Sequence, residues 1–435
     1  MKEEIISIIK ANTKEGKKYF YELRNKEEEA HNNVILEVNE ILEQVKKKGD
    51  TALIEYTNKF DSDKVTKENI QVTQREIEEA YRLAEGEFIE ALKTASENIM
   101  FFHQKQKRNS WMITKEDGII LGQQVRPLEK VGIYVPGGRA AYPSSVLMNT
   151  IPAKVAGVEE IIMVTPPMKD GTINPNILVA ADISGVNKVY KVGGAQAVGA
   201  LAFGTESINK VDKIVGPGNV FVAMAKKSVY GYVDIDMIAG PSEILIIADE
   251  GAKAPYLAAD LMSQAEHDLM ASSVLITTSE DLAEEVKKEL EKQIEHLERK
   301  GMIKKSLKDH GVIMLVKSIE EAVDISNKIA PEHLEICTKE PFLVLGDIKN
   351  AGSIFLGDFS PEPLGDYMAG PNHVLPTSGT ARFFSPLSVD NFIKKSSFTH
   401  YSEKALLEIG DKIIKLAQGE GLTAHANSII VRNKA

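Results

Sequence analysis

Apolar residues recur along this chain at two periods. Val34, Ile35, Val38, Ile41, Leu42 and Val45 fall on one helical face before Gly49 stops the run. Thr73 followed by Glu76 is a capping box opening the next helical stretch, REIEEAYRLAEGEFIEALKTA, and residues 1 to 107 read as helical throughout. From Trp111 the pattern turns strand-like, and the pair Asp117 and Gly118 marks a hairpin. Between about 131 and 248, short β-branched runs (VGIYVPGG, EEIIMVTPP, KVYKVGG, VDKIVGPGN, EILIIAD) alternate with helical stretches, the rhythm of parallel βαβ units. SSVLITT, a charged helix near 279 to 300 and GVIMLV continue it, so a second α/β unit surrounds the first. The tail holds a helix over KALLEIGDKIIKLAQ and ends in GEGLTAHANS.

Length changes the picture by requiring more than one core: 435 residues suggest two or three units. A single cysteine, Cys337, excludes an internal disulfide and a thiolate metal cluster, so any metal would have to use His and carboxylates. A net charge of -11 without a basic block argues against nucleic acid as a partner. The N-terminus lacks a signal-peptide pattern and no apolar run reaches the ~18 residues of a membrane span, which predicts a soluble cytoplasmic protein.

Three strand ends run straight into glycine: Val135-Pro136-Gly137-Gly138, Val192-Gly193-Gly194 and Val215-Gly216-Pro217-Gly218. Carboxyl ends of parallel strands are where phosphate binds, with Gln196 and Asn219 placed behind two of the turns to meet ribose hydroxyls. None matches G-x-G-x-x-G, so spacing alone leaves tight turns as an equal reading. Gln264 and His267, three apart on a helix predicted to begin near Ala254, leave one face together; with Asp366 and His425 they make an N/O set suited to zinc. An isolated pair at that spacing is more often a polar helix face. Glu332 and His333, entering a strand in APEHLEI, supply a base and its helper if Pro331 bends the chain, and otherwise an exposed acid beside a hydrogen-bonded imidazole.

LGDYMAGPNHVLPTSG, residues 364 to 379, is too rich in Gly and Pro for a helix interior, yet it carries Asp366 and His373. Cys337, ending the apolar run LEIC, reads as core rather than nucleophile. Ser242, in AGPSE, lacks a hydrolase elbow and fits a ligand contact better.

Taken together, VGIYVPGG, YPSSVLM, VGGAQA, VGPGN, AGPSE, SQAEHD, APEHLE, LGDY, GPNHVLPTSGTARF and EGLTAHANS resemble the histidinol dehydrogenase family, in family order from about 30 to 430. The resemblance implies oxidation of L-histidinol through L-histidinal to L-histidine with two NAD and one zinc per subunit. It implies Gln264, His267, Asp366 and His425 as zinc ligands and Tyr134, Gln196 and Asn219 as NAD contacts. Ser242, His333 and Glu420 fall on substrate positions, the zinc ligands also bind substrate, and Glu332 with His333 is the catalytic pair. Arg139 after the Gly-Gly, and LMAS after QAEHD, depart from the usual family residues.

The implied fold is α/β, with two Rossmann-like doubly wound domains, one inserted in the other. The expected division is a helical arm at 1–28, a discontinuous metal and substrate domain at 29–133 plus 242–387, an inserted NAD domain at 134–241, and a helical tail at 388–435. That tail is expected to reach into the partner's site in a homodimer. A metal-dependent hydrolase would use the same His and Asp ligands with Glu332 as base but leave the glycine turns idle. A nucleotide-responsive binding protein would leave the metal-type ligands idle; a dehydrogenase uses both sets.

Overall fold

The computed structural model describes residues 4–16, 18–19, 32–137 and 142–433, so Gly138, Arg139 and His31 lie outside it. The chain divides into two units, residues 1–106 with 128–392, and residues 107–127 with 393–435.

The larger unit contains two parallel sheets. In the first, strands Lys188–Tyr190, Glu160–Val164, Lys130–Tyr134, Lys213–Val215 and Asp234–Ile235 lie side by side in that order. By position in the chain this is 3-2-1-4-5, the doubly wound order, whose switch point lies between Lys130–Tyr134 and Lys213–Val215. Helices cover both faces, which is why the strand interiors Ile133, Ile162, Met163 and Ile214 are fully buried. Asn32–Lys48 is one of the covering helices; its predicted face holds, with Val38, Ile41, Leu42 and Val45 in the core against Val198 and Leu201.

The second sheet has six strands in the order Ser7–Lys10, Gly311–Leu315, Ser272–Thr277, Glu243–Ala248, His333–Cys337 and Ser353–Leu356. Its pairings are all parallel. EILIIAD therefore belongs here and not with the other four middle runs.

Several local expectations need correction. The helical arm at 1–28 instead contains the edge strand Ser7–Lys10, paired with Val312–Leu315, because SIIK buries Ile9 against the sheet. The capping box forms, with Glu76 N–H donating to Thr73 Oγ1 at 3.3 Å and Thr73 N–H to the Glu76 carboxylate at 2.9 Å. The run it opens, however, breaks at extended Ala84 and Glu85 into helices Gln74–Leu83 and Gly86–Gln104. The Gly- and Pro-rich stretch starts inside a short helix, Glu362–Tyr367, which Pro363 permits because a first-turn proline loses no helical hydrogen bond.

The smaller unit has a three-stranded antiparallel sheet in which Ile119–Pro127 lies between Trp111–Lys115 and Ile393–His400. The predicted hairpin turn is present, with Asp117 and Gly118 at positive φ. Helices Glu403–Gly419 and Thr423–Ile430 follow, so the expected helical tail also carries a strand.

Candidate active site

The amino end of strands Glu243–Ala248 and His333–Cys337 in the six-stranded sheet gathers most of the predicted chemistry. Helix Ile319–Ile329 ends on Ala330, a buried residue in the left-handed region (φ 55°), and the chain then turns through Pro331 into strand His333–Cys337. Glu332 and His333 both become buried, and both engage the backbone of Glu243 at the start of the neighbouring strand. The Glu332 carboxylate accepts the Glu243 N–H at 2.9 Å, and His333 Nδ1 donates to the Glu243 carbonyl at 3.0 Å. A carbonyl can only accept, so Nδ1 carries the proton and Nε2 keeps its lone pair. Burial holds the imidazole down at about 4 and pushes the Glu332 carboxyl well above its ordinary range. The acid and the ring nitrogen stand 3.6 Å apart, so the bend the sequence demanded is present.

Nε2 of His333 has no hydrogen-bond partner among the described residues and lies 3.8 Å from Glu362 Oε1. Glu362, His267 and Asp366 each present a donor atom within 4.8 Å of the others. Glu362 is buried, and its carboxyl is pushed up to about 9 by desolvation first and then by Asp366. Sequence reading missed it, although Glu362 and Asp366 stand four apart, the spacing that aligns two carboxylates on one helix face.

Gln264 is fully buried, and neither its amide oxygen nor its nitrogen has a partner among the described residues. Gln264 and His267 do not share a helix as expected. The helix Ala254–Ala265 ends between them, and His267 is held in the following turn by its N–H donating to the Gln264 carbonyl at 3.2 Å. The imidazole and two carboxylates make an N/O donor set that fits a borderline-soft divalent cation such as zinc, and the orphaned buried amide of Gln264, three residues before His267, is a further oxygen donor.

Asp366 lines two cavities, of about 350 Å³ and about 470 Å³. The smaller also takes in His333 and His373, the larger His267. His373 Nδ1 donates to the Asp366 carbonyl at 3.1 Å and its Nε2 lies 3.3 Å from Ser145 Oγ, so it orients the Asp366 turn. Ser242 immediately precedes Glu243 at the same sheet edge, where its carbonyl accepts from Ser272 at 3.0 Å. Glu420 and His425 belong to the smaller unit, and both are exposed there.

The five-stranded sheet supplies a second set. Gly216, at φ 110°, follows Lys213–Val215, and a Cβ there would lie 2.1 Å from the Tyr134 carbonyl oxygen. The turn is braced from below. Lys226 donates to the Gly216 carbonyl at 2.9 Å, Asp236 accepts the Gly216 N–H at 2.8 Å, and the two side chains form a buried ion pair. Tyr134 Oη accepts the Gly194 N–H at 3.0 Å, Gln196 reaches Asp61 at 3.5 Å, and Asn219 caps helix Val220–Val229 through Val222 N–H at 3.2 Å. All three sit at the carboxyl edge, and each also has a structural bond. Asp61, Lys226 and Asp236 carried no signal in the sequence.

A doubly wound sheet with glycine turns at its switch point, in one unit with a buried acid and imidazole pair and a cation-type donor set, defines a dinucleotide-dependent α/β oxidoreductase. The sequence profile described as histidinol dehydrogenase matches residues 24–433. The chain is 64% identical over 432 residues to a protein named histidinol dehydrogenase from Clostridium acetobutylicum, covering 99% of this chain and 100% of that one. It is 60% identical over 413 residues to another so named from Caldanaerobacter subterraneus subsp. tengcongensis, covering 95% and 96%. A crystal structure of histidinol dehydrogenase from Elizabethkingia anophelis superposes with a TM-score of 0.92 at 40% identity, over 100% of this chain and 99% of that one. The chain belongs to the histidinol dehydrogenase family and is an oxidoreductase of it.

Proposed function

We propose that the protein oxidises L-histidinol through L-histidinal to L-histidine, with NAD as hydride acceptor in both steps and zinc held by Gln264, His267 and Asp366 with His425. The observation that carries this is the state of His333: neutral, with Nδ1 committed to a backbone carbonyl and Nε2 open beside the cation-type cluster. Zinc, when bound, supplies positive charge that takes nitrogen donors, and histidinol brings an imidazole and an amine. NAD, when bound, accepts the hydride.

The residues do the rest. His333 Nε2 takes the hydroxyl proton as the carbinol hydride leaves, and its low proton affinity keeps it neutral and ready at pH 7. Water must then add to the aldehyde. Glu332, whose affinity for a proton burial raises, takes the proton of that water with His333 beside it, and a second hydride departs to leave the carboxylic acid. Ser242 and Glu420 contact substrate, and Tyr134, Gln196 and Asn219 contact NAD at the five-stranded sheet, whose strands run from Lys130 to Ile235.

No helix among the described residues is long and apolar enough to cross a membrane, which supports a cytoplasmic enzyme. The exposure of Glu420 and His425 supports their donation to a second copy's site in a homodimer. A mixed dimer of one subunit lacking the tail and one carrying an Asp366 lesion should then regain about one site.

NADH formed from L-histidinol tests the whole reading, followed by ultraviolet absorbance before chelation, after it, and with zinc restored. Two NADH per histidinol, lost on chelation and regained with zinc, is expected. One NADH, or hydrolysis without NAD, refutes it. Replacing Glu332 by Gln should spare histidinol binding and lower turnover by ~10²–10⁴.

A further inference from the structure

Doubly wound folds read the adenosine ribose with a carboxylate at the end of the second strand. Here that strand, Glu160–Val164, runs into Thr165-Pro166-Pro167, which has no acid. Asp170, a few residues on, is exposed and turned onto Thr172, whose N–H and hydroxyl it accepts at 3.0 and 2.7 Å. The carboxylate at this corner comes from elsewhere in the chain. Asp61, following helix Asp50–Phe60, accepts the Gly193 N–H and lies 3.5 Å from Gln196 Nε2.

Gly193 packs directly on Pro166, where a Cβ would lie 2.5 Å from the proline Cβ. Lys169 donates to the Asp61 carbonyl at 2.7 Å. Asp61 is thus tied to the segments leaving both the second and the third strand. A carboxylate accepts about four hydrogen bonds, so Gly193 and Gln196 leave it capacity for a ribose hydroxyl.

We infer that Asp61 is the residue that reads the adenosine ribose and sets the preference for NAD over its 2′-phosphorylated form. The inference rests on the NAD reading above. An ionised Asp61 accepts from a 2′-hydroxyl and repels a 2′-phosphate. Without its charge, Lys169 makes the corner cationic and favourable to phosphate.

The test is titration of the full-length protein, without histidinol, with NADH and with NADPH, following nucleotide fluorescence. Asp61→Asn keeps an acceptor for the Gly193 N–H while removing the charge; Asp61→Ser serves if the amide variant misfolds by circular dichroism. Losing a hydrogen bond to a charged group should weaken NADH roughly 10-fold, while NADPH binds more tightly than to the unaltered protein. Equal weakening of both nucleotides would mean Asp61 merely supports the turn, and unchanged NADH affinity would mean it touches no ribose; either overturns the inference alone. An unaltered protein that binds no NADH would overturn the cofactor reading with it.

Discussion

Replacing Lys226 by Met removes the ammonium that joins the Gly216 carbonyl to Asp236 but keeps the length of the stem. In the folded protein both charged groups are nearly inaccessible, with side-chain exposures of 4% and 1%. Removing one partner of a buried pair costs ~3–5 kcal/mol, chiefly because the other charge stays buried and uncompensated. The Gly216 carbonyl also loses its donor, which adds ~1–3 kcal/mol if water does not reach it. Against this, Asp236 still accepts the N–H groups of Gly216 and Met237, at 2.8 and 2.6 Å. The lower end, ~3 kcal/mol, is therefore expected, and the melting temperature should fall by ~4 °C if the larger unit unfolds as one. Differential scanning calorimetry with and without NAD is the assay. NAD should recover less stability in the variant than in the unaltered protein, because Gly216 is no longer held for the nucleotide. A loss below ~1 kcal/mol with unchanged NAD affinity would refute both the energetics and the bracing role.

Glu362→Ala should weaken zinc binding by ~10–100-fold in a chelator competition, since its carboxyl stands against Asp366 and His267; unchanged affinity would place it outside the metal's reach. In chelated protein, Glu362 is held up to about 9 in the fold, above its ordinary range of 4.5. A raised carboxyl contributes stability that is full below 4.5 and lost as pH rises toward 9, so the chelated protein should denature more easily at pH 9 than at pH 6, and Glu362→Gln should flatten that slope. Cys337→Ala should retain both oxidations, because the thiol is buried and burial pushes its proton affinity up; selective loss of aldehyde oxidation would indicate a thiohemiacetal. Gly216→Ala should destabilise by on the order of 3 kcal/mol in denaturant titration, the cost of a side chain at φ 110° facing the Tyr134 carbonyl.

Periodicity made the helix Asn32–Lys48, the hairpin at Asp117-Gly118 and the parallel strands legible, because burial on one face dictates residue type there. It did not reveal which sheet each strand joins. EILIIAD and KVYKVGG are alike as buried parallel strands, and the pairing of Ser7–Lys10 with Val312–Leu315 leaves no local mark. The motifs named Glu332, His333 and Asp366, but the atom that organises the first two is backbone, at Glu243, and backbone groups are common to every residue. Asp61 and Asp236 escaped notice because an isolated aspartate reads as solvated surface until the fold shows it buried or aimed inward.

The strand Ser7–Lys10 pairs with residues 312–315. During synthesis it must therefore wait for ~300 residues to be made, roughly 15–60 s at 5–20 residues per second. The five strands between 130 and 235 are complete long before, so the nucleotide sheet can form while the sheet bearing His333 still lacks most of its strands. Translation speed and chaperone access over that interval, rather than the stability of the finished fold, then govern how much of the newly made chain escapes aggregation through its unpaired first strand.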